Sequence, residues 1–341
     1  MQSVQAHDLV DMLKAAAEPT RLRILSLLGG GEHNVKDLTR ILGQSQPRIS
    51  RHLKLMAEAG LIDRHRDGSW AYFQLVETGP AGALLRGLLD TVDRGDPALG
   101  RDQMRAEAVK REREASAQGY FREHAAEWDR IRALHVSEAE VETALRAALG
   151  RGPFGLLVDL GTGTGRMLEL FATDYTRGLG FDLNHPMLDY ARGKLQAAGL
   201  PHANVRHGDL YDVPLAGGAA NAVIMHQVLH FLAEPAQSIR EAARLLAPGG
   251  KLAIVDFAPH DMEFLRDTGA HERLGFPATL VGEWLAAAGL VVASVSDLVP
   301  TADAGAGKLT VTLWLAERPQ AAQRPAVNVA GPHKRLQEVE A

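Results

Sequence analysis

The chain has 341 residues, 46% of them hydrophobic and 23% charged, which suits two folded units of about 100 to 200 residues each. Its net charge of −5 gives no overall attraction to nucleic acid, so any DNA contact must come from a local basic patch. The chain contains no cysteine, which excludes disulfides, thiolate metal sites, iron–sulfur clusters and cysteine nucleophiles together.

Helical spacing of Leu9, Met12, Leu13 and Ala16 predicts a first helix, with Pro19 expected to end it. A second helix is expected over 21–28, stopped by Gly29-Gly30-Gly31, and a third over Val35–Leu42. After a tight Gly43-Gln44, a fourth should span 45–59, with Ser45 as N-cap, Pro47 in the first turn and Gly60 as the stop. Segments 61–66 and 69–75 read as two strands about an Asp67-Gly68 turn, and an apolar helix over 79–92 closes this unit.

Helix, turn, helix at this spacing is what presentation of a helix N-terminus to the major groove requires. Ile49, Leu53 and Met56 should face inward, leaving Gln46, Arg48, Ser50, Arg51 and Lys54 outward, where Gln and Arg can read adenine and guanine edges. Between residues 35 and 72, seven Lys/Arg face four Asp/Glu, a local basic excess in an acidic chain. Arg64 and Arg66, on the hairpin, suit phosphate contacts. The run from Ser45-Gln46-Pro47-Arg48-Ile49-Ser50-Arg51-His52 to Gly60-Leu61-Ile62, with Glu18-Pro19-Thr20-Arg21 and the hairpin Arg66-Asp67-Gly68-Ser69-Trp70, resembles the ArsR/SmtB family over about residues 7–92. That resemblance implies a winged helix-turn-helix, a homodimer built on the first and last helices, and binding to a partly palindromic double-stranded operator, usually to repress. Arsenite sensors of that family carry two cysteines where this chain has Asn34 and Lys36, so sensing by that route is not expected. His33 and His52 read as surface or packing groups, and no metal site is assigned.

Residues 93–119 mix both signs of charge and read as a solvated helical linker. From about residue 156, strands and helices alternate: strands 156–160, one ending at Asp182, 204–207, 222–226 and 251–257, with helices 186–198 and 235–246 between them. Such alternation argues for a mostly parallel sheet covered by helices. Two last strands, near 290–296 and 309–315, could form a hairpin at the sheet edge, and the tail over 318–341 is expected to be disordered. No run approaches about 18 apolar residues, and the first eight residues lack signal-peptide features, so a cytoplasmic address without membrane contact is expected.

Asp159-Leu160-Gly161-Thr162-Gly163-Thr164-Gly165 places a glycine loop between a strand and a helix start. Two ligands fit such a loop, a dinucleotide and S-adenosylmethionine. The G-x-G-x-G spacing, the acid at Asp159 and a third acid at Asp209, which dinucleotide sites do not usually need, favour the second, because a carboxylate before the loop is poor company for pyrophosphate but tolerable beside amino and sulfonium cations. Together with Asp182, Gly208-Asp209-Leu210, the 225–232 segment and Pro248-Gly249-Gly250-Lys251, the pattern resembles class I methyltransferases of the quinone-biosynthesis type over about residues 120–317. The fold class is therefore two domains: a mainly α winged helix-turn-helix and an α/β Rossmann-like methyltransferase with a mostly parallel seven-stranded sheet. By that resemblance Gly161 and Gly163 meet the methionine part, Asp182 the ribose, Asp209 the adenine, and the Tyr120-Phe121…Trp128-Asp129 region forms a lid. The full cofactor set is Asp159, Gly161, Gly163, Gly165, Asp182, Leu183, Asp209, Leu210 and His226, with His226 also the candidate base or orienting group and His230 and Asp256 weaker ones.

Cytosine C5 methylation and arsenite methylation both need cysteines that are absent, and Met225-His226-Gln227-Val228 replaces the Asn/Asp-Pro-Pro-aromatic run of DNA amino methylation. Three readings remain. One is a regulator fused to a methyltransferase acting on a small molecule. The next is a regulator whose methyltransferase fold only senses S-adenosylmethionine or S-adenosylhomocysteine, for instance at methionine-cycle genes. The last is a nicotinamide-dependent oxidoreductase.

Overall fold

The computed structural model describes residues 4–67, 70–76, 78–93, 95–135, 138–300 and 308–320. The expected hairpin tip at Gly68, the glycine-containing loop over 301–307 and the tail from 321 lie outside them.

The N-terminal unit runs α1 (Ala6–Ala16), α2 (Pro19–Leu28), β1 (His33–Asn34), α3 (Val35–Leu42), α4 (Gln46–Glu58), β2 (Ile62–Asp67), β3 (Trp70–Leu75) and α5 (Gly79–Thr91), with its strands antiparallel in the order β1-β3-β2. Pro19 opens α2 instead of merely ending α1, because a residue without an N–H loses nothing at the first helical position. Glu18 caps that helix by accepting the Arg21 N–H at 2.9 Å. Asn34 does the same for α3 through the Asp37 N–H at 2.9 Å. Ser45 stands at the cap position of α4, but its side chain makes no cap bond. Ile49, Leu53 and Met56 are buried against Ile24, Leu25, Leu38 and Ile41, as their three- and four-residue spacing requires.

A 28-residue helix, α6 (Pro97–His124), follows, capped by Asp96 on the Ala98 and Leu99 N–H groups. The charged stretch is not simply solvated: Asp102 and Val109 are buried. Arg23 holds Asp102 through two bonds of 2.6 and 2.7 Å. The mixed signs that read as surface are matched by partners on both units, so α6 lies between them.

The C-terminal unit continues with α7 (Trp128–His135), α8 (Glu138–Leu149), β4 (Phe154–Leu160), α9 (Arg166–Leu170), β5 (Tyr175–Asp182), α10 (His185–Ala197), β6 (Ala203–His207), β7 (Ala220–His226), α11 (Pro235–Leu245), β8 (Leu246–Phe257), α12 (Phe264–Thr268), α13 (Ala278–Ala287), β9 (Val291–Leu298) and β10 (Val311–Glu317). Its seven-stranded sheet has the order β6-β5-β4-β7-β8-β10-β9, parallel from β6 to β8, with β10 antiparallel to both neighbours. Two apolar cores cover its faces. The strand order reverses at β4, so the carboxyl ends of β4, β5 and β7 open a crevice there, where open α/β sheets bind ligands. Among the described residues no helix is long and apolar enough to cross a membrane.

The two units meet through buried charges. Arg273, 2% exposed, reaches Glu32 at 2.5 Å and stacks on the Tyr72 ring at 3.9 Å. Arg266 pairs with Asp67 at 3.2 Å and lies over Trp70, while the Leu274 N–H donates to Asp67 at 2.8 Å. Arg113 of α6 bridges Asp37 on one unit and Glu272 on the other. Burial pushes the Glu32 carboxyl up, and Arg273 with His65 more than offsets this, leaving it at about 2. Glu32 therefore contributes stability above its ordinary 4.5, and the contribution is lost as pH falls toward 2.

Arg273→Met leaves Glu32 buried without its cation and should cost about 3–5 kcal/mol in urea unfolding at pH 7. The deficit should shrink as acid protonates Glu32. Arg40→Ala, at the exposed pair with Glu112, should leave stability essentially unchanged.

Candidate cofactor cleft and DNA-facing surface

At the end of β4 the chain turns through Gly161 and Gly163, with φ of 75° and 50°, values that favour glycine. A Cβ on Gly161 would stand 2.4 Å from Val228. The Gly161 and Thr162 N–H groups donate to the Phe181 carbonyl at 2.9 and 3.0 Å, which ties the loop to the end of β5. Asp182 at that end accepts the Gly163 and Asn184 N–H groups at 2.9 and 2.8 Å.

Asp159, Gly161, Gly163, Asp182, Leu183, Asp209, Leu210 and His226 all line one cleft, joined by Phe121, Trp128, Arg132, Met187, Gln227 and Phe231. Gly165 is the exception among the expected cofactor residues. It does not line the cleft; it caps α9, with its Cα facing Ala191 and Leu195, so its role is close helix packing. The lid is a set of perpendicular rings: Phe121 meets Trp128 at 5.1 Å and Phe231 at 4.8 Å. Asp129 anchors the lid to the glycine loop by accepting the Thr164 hydroxyl at 2.7 Å. Arg132 carries no sequence motif that singles it out, and Gln227 and Phe231 lie in the 225–232 segment, which does not mark them individually.

Electrostatics grade the cleft. Asp159 is 1% exposed, and burial together with Asp182 pushes its carboxyl up to about 7, although the Thr162 hydroxyl donates to it at 2.6 Å. Burial also raises Asp182, against the pull of its backbone donors. Asp209 is exposed and accepts the Tyr211 N–H at 2.9 Å. His226 is held well below its ordinary range by burial and by Arg132, His230 and Arg166, so it is a neutral, weakly basic ring. Four residues on, His230 stands differently: 2% exposed, its Nδ1 lies 2.8 Å from Asp256, which is fully buried. Sequence alone ranked this pair below His226, because nothing in it shows that the two residues meet.

On the N-terminal unit, Gln46, Arg48, Ser50, Arg51 and Lys54 of α4 and Arg64 and Arg66 of β2 are all exposed. Lys54 alone among these cations has an ion pair among the described residues, with Glu58 at 3.7 Å. The five α4 side chains are exposed while Ile49, Leu53 and Met56 of the same helix are buried.

A winged helix-turn-helix joined to a Rossmann-like methyltransferase fold is the class these features define. Residues 18–64 match the family described as bacterial regulatory protein, arsR family, and residues 158–254 match the methyltransferase domain family. The transcriptional repressor SdpR of Bacillus subtilis is 34% identical over 89 residues, 26% of this chain and 98% of the repressor. The demethylmenaquinone methyltransferase of Thermus thermophilus is 34% identical over 145 residues, 41% of this chain and 64% of that enzyme. A Haloferax volcanii methyltransferase structure, solved in complex with the Trm112 activator, superposes with a TM-score of 0.50 and 21% identity, covering 59% of this chain and 98% of that one, and shares the fold. The chain belongs to the arsR family of bacterial regulatory proteins and carries a methyltransferase domain behind its regulator domain. It spans 31% to 64% of the length of several other curated relatives.

Asp159 supplies a test of the cleft's polarity. An acid raised by folding adds its full stability below its unfolded value of 3.8, and that stability is lost progressively as pH rises through about 7. Asp159→Asn should match the parent near pH 4 and exceed it at pH 8, by up to about 4 kcal/mol in denaturant melts. Equal stabilities at pH 8 would show that the carboxyl is not desolvated.

Proposed function

We propose that this protein is a DNA-binding regulator, in keeping with a repressor's role and a cytoplasmic address, whose C-terminal domain binds S-adenosylmethionine and methylates a small molecule. The observation that carries the cofactor reading is the set of three carboxylates, Asp159, Asp182 and Asp209, grouped around one positive-φ glycine loop. An acid at the base of the loop suits an amino group and a sulfonium, whereas a pyrophosphate would be repelled. In this reading Asp182 holds the ribose, Asp209 the adenine amino group, Leu183 and Leu210 the faces of the base, and Gly161 and Gly163 the methionine part. His226 orients without taking a proton.

For the regulator domain, Gln46, Arg48, Ser50 and Arg51 read base edges, while Lys54, Arg64 and Arg66 meet phosphates. Exposed Leu9, Val10 and Leu13 on α1 supply the apolar face for a homodimer on a palindromic operator. A second reading, in which S-adenosylmethionine or S-adenosylhomocysteine acts as an effector of DNA binding, is favoured by the buried ion pairs that link the two domains.

Calorimetry should detect S-adenosylhomocysteine binding to the parent and at least a tenfold loss in Asp182→Ala and Asp209→Ala. Unchanged affinity in both would remove the assignment, as would uptake of a nicotinamide dinucleotide instead. On a duplex from upstream of its own coding region, Arg48→Ala and Arg51→Ala should each weaken binding by about 1–3 kcal/mol. Arg64→Ala should instead lower the salt slope by about one. Repeating the titration with saturating S-adenosylhomocysteine tests the effector reading, which an identical affinity would reject.

A further inference from the structure

Beside the cofactor cleft, and sharing Trp128, Arg132, Gln227 and Phe231 with it, lies a second cavity of about 400 Å³. Its size is that of an ordinary small-molecule site. Tyr120, Phe257, Phe264 and Leu265 add further apolar wall, and Phe231, Trp128 and Phe257 present ring edges and faces. Such walls accommodate a flat, apolar molecule. Arg132 brings no spare charge, since Glu138 and Asp129 already hold it. Arg130 in the same wall is likewise held by Glu127, so neither arginine calls for an anion and the site suits a neutral occupant.

Polar side chains also line the cavity, among them His124, Glu127, Arg130, Thr268 and His271, and two others, His230 and Gln227, can serve a ligand. Asp256 takes the N–H groups of Leu229, His230 and Phe257 at 2.9, 3.3 and 2.8 Å, as well as the His230 ring. A proton on Nδ1, donated to Asp256, leaves the Nε2 lone pair for the cavity that His230 lines. Gln227, at the boundary of the two cavities, adopts a positive φ of 51°, and its buried side-chain Nε2 has no hydrogen-bond partner. A buried amide donor without a partner is costly unless a ligand supplies the acceptor. One acceptor and one donor together match a hydroxyl, which donates to His230 and accepts from Gln227.

We propose that this cavity is the methyl-acceptor site and that it takes a neutral aromatic alcohol of one or two rings, with His230 as the general base. The proposal rests on the neighbouring cleft being the S-adenosylmethionine site. The hydroxyl proton passes to His230 Nε2 while an oxygen electron pair forms the bond to the methyl carbon. The carbon–sulfur bond breaks, its electron pair stays on sulfur as a neutral thioether, and Asp256 stabilises the imidazolium. An aromatic hydroxyl titrates near 10 and gives up its proton to a base far more readily than an aliphatic alcohol does.

The test uses the full-length protein, with phenol, catechol and 2-naphthol as probes and S-adenosylhomocysteine titrated in parallel. At least one probe should bind without cofactor, and its affinity should fall at least tenfold in Thr268→Trp, which fills the cavity from an exposed position, and in His230→Asn. S-adenosylhomocysteine affinity should stay unchanged in both variants, which also reports an intact fold. Methyl transfer from labelled cofactor to the bound probe should drop at least a hundredfold in His230→Asn, with a smaller drop and a shifted pH profile in Asp256→Asn. Binding of S-adenosylhomocysteine with no binding of any probe, or probe binding indifferent to Thr268→Trp, would overturn the acceptor site and leave the cofactor reading standing. Probe binding without S-adenosylhomocysteine binding would remove the cofactor reading and overturn the acceptor role with it.

Discussion

A guanidinium removed from water must have its charge answered on the spot, and Arg273 meets that requirement only across the boundary between the two domains. Glu32 and the face of Tyr72 come from the regulator domain, while the arginine follows α12 in the methyltransferase domain. The same logic repeats in Arg266 with Asp67 and in Arg113 between Asp37 and Glu272. Hydrophobic contact alone would tolerate sliding, whereas paired buried ions with stacked rings tolerate one register. The wing strands β2 and β3 are thereby fixed against the segment that follows β8.

That segment serves two neighbours. The carbonyl of His230 accepts the N–H groups of Glu272 and Arg273 at 2.9 and 3.0 Å. One residue thus carries an imidazole in a ligand cavity and a backbone oxygen that positions the interdomain arginine. A change at the ring is mechanically adjacent to the grip on the wing, the kind of contiguous physical connection that coupling between sites uses.

His226 and His230 show how neighbours assign chemistry to identical side chains. Crowded by burial and by Arg132 and Arg166, His226 stays neutral. His230 is hydrogen-bonded to Asp256 instead, a partner for the positive charge it would gain.

Local patterns carried a large part of the architecture. The recognition helix was legible because Ile49, Leu53 and Met56 repeat at helical spacing and the outward positions hold Gln, Arg and Ser. The glycine loop was legible because Gly161 and Gly163 sit between a buried strand and a helix, a short-range geometry that only glycine adopts freely. The alternation of strands and helices implied a mostly parallel sheet, since parallel strands need crossovers. Other features depended on distant partners. The charged stretch in α6 looks like a solvated face until Arg23, Asp37 and Glu272 are brought to it. Gly165 reads as part of the ligand loop until Ala191 and Leu195 are seen beneath it. The pairing of His230 with Asp256 joins two elements across 26 residues, and the second cavity is enclosed by the lid, the end of β8 and α12 together. By itself, then, the sequence determined what depends on neighbours within a few residues: helix faces, caps, strand ends and the bend of the loop. Only the tertiary structure decided which buried charges meet and which rings close over a pocket, because those contacts are set by how whole elements pack.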